Sequence, residues 1–273
     1  MKKRSSAIAG VFLIILFLGL DSVLYATVML YGSDAETQEL YIIDTTDAGT
    51  SRVGYFGVEG NMAGLAYDSD NDIMYGTTTA TDKLYSIDYT TGQATLIGDL
   101  GVSLIHGLAY DNSTDVLFGT FGESRGDGLY QIDVSMGNST LIGHIGHFYD
   151  DHLNTVHGLA VHPQTNDLYG IIGGLGNVSA LIRIDKTTGS GTFLYEYGIV
   201  NLSGLTFLPD GTLYATDNWS GDLYTLDISS GSMQLIGNTG FGNALGLTSI
   251  PEPATIMLLG LGGLILLRGR ESA

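Results

Sequence analysis

The chain has 273 residues and no cysteine, and it carries a net charge of −19. Residues 27–250 hold five Lys and Arg against 26 Asp and Glu, a net charge of −21, so this region repels nucleic acid and anionic lipid and attracts cations. Disulfides are excluded as a source of stability, and a packed core has to hold the fold.

The N-terminal segment has the layout of a secretory signal peptide. Lys2, Lys3 and Arg4 precede an uninterrupted apolar run at residues 7–20, and polar residues follow. Such a run is shorter than the ~20 residues that a stable transmembrane helix needs. We therefore expect residues 1–26 to be a signal peptide, cleaved after Ala26. A buried core helix is the alternative, but the run has no polar face.

Residues 27–250 contain four short sequence patterns, here called phrases, that recur at similar spacing along the chain. The phrase Leu-Tyr-x-Ile-Asp and its variants begin, 42 to 52 residues apart, at Leu40, Leu84, Leu129, Leu181 and Leu223. A Gly-Leu pair recurs at Gly64, Gly107, Gly158, Gly204 and Gly246. An aromatic residue beside Leu or Met and a small residue recurs at Tyr31, Tyr75, Phe118, Tyr169 and Tyr214. An apolar residue before Gly recurs at Val53, Ile97, Ile142 and Ile236, whereas one unit has Leu194-Tyr195 instead.

Four short segments in each unit, separated by polar turns, are typical of a four-stranded propeller blade. The order of the phrases resembles NHL-type propeller repeats, and the resemblance implies that the Gly-Leu strand lines the axis. We therefore expect an all-β, five-bladed β-propeller over residues 27–250, flanked by hydrophobic helices at both ends of the chain. An open solenoid of strands is the alternative architecture.

The ends of the repeat region predict how the ring closes. Three strands at residues 28–32, 40–44 and 51–57 open the region, and one strand at 246–250 ends it. Together they make one composite blade, which would remove the exposed sheet edges. The other blades are expected at residues 64–100, 107–146, 158–198 and 204–240. Both ends of the repeat region then lie on the same face of the disc.

The opposite face carries a histidine-rich loop. The candidate ligands for a metal or another ligand are His144, His147, Asp150, Asp151, His152 and His157, joined by His106 from the neighbouring repeat. Imidazoles and carboxylates bind zinc and similar ions, and a divalent cation is the candidate cofactor. His106 and His157 occupy equivalent positions before their Gly-Leu pairs, so both should face the rim of the axial channel. The alternative is a set of solvated loop residues, since no spacing matches an established metal motif.

Trp219 lies in a loop on that same face, where an indole could stack on a sugar ring. A tryptophan that caps the core is the alternative interpretation. The pattern at residues 122–126 matches a nucleophile elbow, but no helix follows it. The acidic residues at 68–72 fall in a turn and lack the distal glutamate of a calcium loop.

The C-terminal tail has three parts in order. Pro251, Glu252 and Pro253 precede an apolar run at 254–267, and Arg268 and Arg270 follow it. The tail resembles the PEP-CTERM sorting signal of exported bacterial proteins. This resemblance implies an exosortase-type membrane protease as partner, transient membrane attachment through the uncleaved tail at 251–273, and final location at the cell surface or outside the cell.

Two functional hypotheses remain open. The first is a non-enzymatic binding or structural protein of the cell surface or extracellular matrix, with polysaccharide as a partner suggested by the sorting system. The second is a metal-assisted hydrolase or lyase with its site at the axial mouth. We favour the first because the sequence shows no convergent acid, base and nucleophile.

Overall fold

The computed structural model describes residues 28–121, 128–148, 155–173, 178–198 and 201–251. These residues form twenty β-strands. The strands are β1 Val28–Asp34, β2 Glu39–Ile43, β3 Thr50–Tyr55, β4 Met62–Asp68, β5 Ile73–Thr78, β6 Lys83–Ile87, β7 Ala94–Asp99, β8 Ile105–Asp111, β9 Val116–Phe121, β10 Gly128–Ile132, β11 Ser139–His144, β12 Thr155–Val161, β13 Leu168–Gly173, β14 Ser179–Ile184, β15 Gly191–Tyr197, β16 Leu202–Phe207, β17 Leu213–Asp217, β18 Asp222–Leu226, β19 Met233–Asn238 and β20 Ala244–Pro251.

The strands form five antiparallel four-stranded sheets, which are the blades of a propeller. Blades I to IV are β4–β7, β8–β11, β12–β15 and β16–β19, and blade V has the order β20-β1-β2-β3. The composite blade is therefore confirmed, and with it the five-bladed architecture. In β20 and β1, Pro251 pairs with Val28, so both ends of the described propeller lie on one face.

We call this side the tail face. It carries the turns between the first and second and between the third and fourth strands of each blade, and the remaining loops form the histidine face. The expected flanking helices fall in residues 1–27 and 252–273, outside the described residues. Within the described ranges, no helix could cross a membrane.

The recurring aromatic residues of the repeat pack in the core. Tyr31, Tyr75, Phe118, Tyr169 and Tyr214 are all buried. Five apolar clusters hold most of the buried side chains, and each joins residues of neighbouring blades.

The aspartate that ends the Leu-Tyr-x-Ile-Asp phrase stabilises a turn, since it accepts hydrogen bonds from the residues that follow it. In blade I, the Thr90 N–H donates to Asp88 at 2.9 Å.

The innermost strands touch one another at the repeated glycine. A Cβ atom built on Gly246 would lie 2.7 Å from Leu65 Cγ and 3.0 Å from the Ala63 carbonyl oxygen. Because this contact joins blade V to blade I, a side chain at Gly246 would push apart the strands that close the ring. The Gly-Leu phrase thus sets the close spacing of strands around the axis.

Hydroxyl groups connect neighbouring blades beside these glycines. Ser33 accepts a hydrogen bond from the Gly246 N–H at 2.8 Å and donates to the Met62 carbonyl at 3.0 Å. Thr120 makes the equivalent pair of bonds, with the Gly107 N–H and the Val156 carbonyl. Fully buried hydroxyls therefore satisfy main-chain groups that the sheet ladders leave unpaired.

The fourth phrase, an apolar residue followed by Gly, marks a β-bulge on the outermost strand of the blade. In blade I, Leu84 pairs with Gly98 and Tyr85 pairs with Leu96, which leaves Ile97 as the extra residue. A side chain at Gly98 would overlap the Met136 carbonyl in the turn of the next blade. Blade III keeps the bulge but has Tyr195 in place of glycine, and its hydroxyl donates to the Ser229 carbonyl at 2.7 Å.

Candidate functional site

His106 and His157 lie side by side at the histidine-face end of the axis. Each is the extra residue of a β-bulge at the start of its innermost strand, β8 or β12. Their ring centroids are 4.9 Å apart, and the planes are tilted by 49°. The structure thus brings together the two histidines that the repeat alignment placed at equivalent positions.

Both imidazoles are partly exposed, yet the packed surroundings desolvate the rings and favour the uncharged form at neutral pH. The pKa of His157 is lowered to about 3, first by burial and then by the neighbouring His106. Burial also lowers the pKa of His106. The buried Nδ1 atom of His106 has no hydrogen-bond partner among the described residues. Two neutral rings can accept a proton or bind a metal ion, since both roles need an unprotonated nitrogen.

The other predicted ligands are either exposed or outside the described residues. His144 ends strand β11 and His147 follows it, and both are exposed. Asp150, Asp151 and His152 fall outside the described residues. In the part of the chain that the structure describes, no three His, Cys, Asp or Glu side chains come together as a metal site.

Trp219 is exposed to solvent on the histidine face. Its side chain is 69% exposed, in the loop between β17 and β18. The buried Asp217 fixes this loop by accepting hydrogen bonds from the N–H groups of Trp219 at 2.8 Å and Ser220 at 2.9 Å. The indole therefore stands on a rigid turn rather than beneath the surface.

A cavity of about 360 Å³ opens at the other end of the axis, on the tail face. Its floor is one leucine from each innermost strand, namely Leu65, Leu108, Leu159, Leu205 and Leu247. The exposed rim comes from turns between first and second strands and includes Ser69, Asn112, Ser113, Pro163, Asn166 and Pro209. Sequence reasoning missed this cavity, because its rim residues look like ordinary turn residues.

The cavity reaches the point where the C-terminal tail leaves the propeller. Pro251 lines the cavity and ends strand β20. Next to it, Ile250 is buried, and the Ser249 hydroxyl donates to the Phe207 carbonyl at 2.8 Å. Glu252, Pro253, Arg268 and Arg270 lie beyond the described residues.

Solved structures with a similar fold span most of the chain. A structure of a nidogen/laminin complex matches with a TM-score of 0.56 and 12% identity, covering 82% of this chain and 98% of that chain. The PQQ-bound aldose sugar dehydrogenase from Streptomyces coelicolor matches with a TM-score of 0.50 and 14% identity, covering 81% of each chain. TolB from Acinetobacter baumannii has a TM-score of 0.49 and 16% identity, covering 79% of this chain and 53% of that chain. At these identities the likeness to the first two structures concerns the fold alone.

No curated protein sequence matches the chain. Residues 249–270 match the family model described as the PEP-CTERM protein-sorting motif. This match confirms the resemblance of the tail, and it implies export, processing by an exosortase and sorting to the cell surface. The chain is thus a five-bladed β-propeller that carries a PEP-CTERM protein-sorting motif at its C-terminal end.

Proposed function

We propose that the exported propeller acts without catalysis, as a binding or structural protein of the cell surface or extracellular matrix, and that its partner is an extracellular polysaccharide. The observation that carries the proposal is the exposed indole of Trp219 on a fixed turn, on the face opposite the tail. A large aromatic face in solvent is a favourable surface for the C–H face of a sugar ring.

The surroundings of Trp219 suit a hydroxylated partner. Ser220 follows Trp219 in the loop and Asp222 begins β18, and the Ser220 hydroxyl donates to the Asp222 carboxylate at 2.9 Å. The Asn238 side-chain amide donates to Asp222 at 2.7 Å, which holds this carboxylate in place. Fixed acceptors beside an aromatic face can bind sugar hydroxyls without a large loss of side-chain entropy.

The sorting tail sets the orientation of the protein during export. We assign residues 1–26 to a signal peptide, 27–250 to the propeller and 251–273 to the sorting tail. Because strand β20 runs directly into the tail, the tail face lies against the membrane until the tail is cut. The histidine face and Trp219 then point away from the membrane, where polysaccharide can reach them.

The test is electrophoresis of the exported protein in native gels that contain neutral or acidic polysaccharides. Retardation is expected in at least one gel, and Trp219→Ala should remove it. Leu235→Ala is a matched control, because this exposed leucine lies on β19 of the same blade. Unchanged mobility across the whole panel, or full retardation of Trp219→Ala, would contradict the proposal.

A metal-assisted hydrolase or lyase is the second candidate, and the contact between His106 and His157 favours it. Two neutral imidazoles at an axial mouth could hold a divalent cation that activates water. Elemental analysis of the purified protein and its melting temperature with and without chelator test this candidate. Absence of a bound transition metal, together with an unchanged melting temperature, would remove it.

A further inference from the structure

We propose that the axial cavity on the tail face binds the terminal sugar of a neutral glycan chain. The inference rests on the proposed function in one respect, namely that the partner is a polysaccharide. It adds a second binding site, separate from Trp219, whose ligand is the end of an uncharged glycan chain.

The shape of the cavity favours a chain end. A volume of about 360 Å³ lies at the lower end of the range for small-molecule sites, which is about 300–1,000 Å³. Each of the five floor leucines is only 2% exposed, so the floor is closed by packed side chains. A pocket with a closed floor admits the end of a chain but not its middle.

The charge of the lining favours a neutral ligand. Asp111 is the one charged side chain among the described residues that line the cavity. It is fully buried, and the Lys186 ammonium lies 2.5 Å from its carboxylate, so the pair is neutral. A neutral cavity in so acidic a domain offers no counter-charge to an anionic sugar and no unpaired carboxylate to a cation.

The polar groups of the cavity suit hydroxyls, which donate and accept hydrogen bonds. The Asn112 side-chain oxygen accepts from the Ser69 N–H at 2.8 Å, which bridges two blades and leaves the amide nitrogen on a fixed support. The exposed Asn166 adds a second amide at the rim. The innermost strands are edge strands of their sheets, so main-chain donors and acceptors also line the axis.

Above the closed leucine floor, the partly exposed Tyr67 and Val161 supply apolar side-chain surface. A terminal sugar presents the matching combination, with hydroxyls around its edge and C–H groups on its faces. The geometry therefore favours a neutral sugar over an acidic sugar or a charged peptide.

The repeat itself suggests a variant that adds bulk at the wall of the cavity and so narrows it. Val161 occupies the position held by Tyr67, Tyr110 and Phe207 in other blades, and all four residues line the cavity. Val161→Tyr therefore introduces a residue that the fold accepts at equivalent positions. Ser69→Trp covers the cavity from the exposed rim of blade I and serves as a second, independent variant, because Ser69 contributes its main-chain N–H to the bridge with Asn112.

Saturation-transfer NMR on the exported protein provides the test, with the methyl glycosides of glucose, galactose, mannose, xylose and N-acetylglucosamine as probes. Glucuronic acid is the charged comparison. At least one neutral glycoside should bind, and either cavity variant that keeps the wild-type circular dichroism spectrum should bind it at least tenfold more weakly. All measurements are made in the Trp219→Ala background, so that a sugar stacked on the indole does not contribute to the signal.

Three results would overturn the proposal: no binding of any neutral glycoside, equal binding of glucuronic acid, or unchanged binding by a folded cavity variant. These results differ from failure of the proposed function, which appears as the absence of a Trp219-dependent retardation by polysaccharide. A protein whose retardation depends on Trp219 but whose cavity binds no sugar would keep the first proposal and lose the second.

Discussion

Acidification from pH 7 to pH 5 is expected to destabilise the propeller through His157. The folded state holds the pKa of this imidazole at about 3, against 6.5 for an unperturbed histidine. Below pH 6.5 the unfolded chain therefore binds a proton that the folded protein does not. The stabilisation that depends on a neutral His157 is complete above pH 6.5 and is lost as the pH falls towards 3.

The size of the effect follows from the interval between pH 6.5 and pH 5. Each pH unit is worth about 1.4 kcal/mol for one group, so acidification to pH 5 costs about 2 kcal/mol. His106 shifts in the same direction and adds to the loss. The turn aspartates, such as Asp227 with a pKa of about 2, remain ionised in this interval because hydrogen bonds from Ser229 stabilise the carboxylate.

Urea unfolding at pH 7 and pH 5, followed by far-ultraviolet circular dichroism, measures this difference. With an m-value of about 2 kcal/mol/M, the wild-type midpoint should fall by at least about 1 M, of which His157 accounts for about 1 M. His157→Gln cannot titrate, so its midpoint should fall about 1 M less than that of the wild type. Equal midpoints at both pH values, or an equal fall in His157→Gln, would refute the burial of a neutral imidazole.

Two further predictions concern contacts between blades. Ser33→Ala removes two buried hydrogen bonds and leaves the Gly246 N–H and the Met62 carbonyl unpaired, so the free energy of unfolding should fall by about 2 kcal/mol in urea titrations. A fall below about 0.5 kcal/mol would contradict a role in ring closure. Lys186→Met leaves the carboxylate of Asp111 buried without its cation and should cost about 3 kcal/mol, whereas Asp111→Asn in the same chain should recover part of this loss.

Much of the fold could be predicted from the repeat because each phrase has a local structural cause. The composite blade followed from three strands at the start of the propeller and one at its end, and the pairing of Val28 with Pro251 confirms it. The contact between His106 and His157 followed from their equivalent positions in the repeat. Their role as ligands stays a prediction, since Asp150, Asp151 and His152 lie outside the described residues.

Other features could not be predicted because they depend on contacts between blades. The hydroxyl bridges involve a Ser or Thr that follows a small residue in the second strand, as at Ser33, Thr77 and Thr120. This pattern was visible in the sequence, but its role in joining two blades follows only from the way one blade packs on the next. Ile171 takes the position in blade III, which shows that the bridge is not required in every blade.

The overlap between propeller and sorting motif limits where the protein can be cut without damage. The matched motif begins at Ser249, two residues before the end of strand β20. Ile250 is buried, and Ser249 donates to the main chain of blade IV, so both residues belong to the folded ring. Cleavage before Pro251 would remove a residue that pairs with Val28 and expose the closing strand at its end. We therefore predict that cleavage falls after Pro251, so that the released protein keeps the residues of β20 that pair with β1.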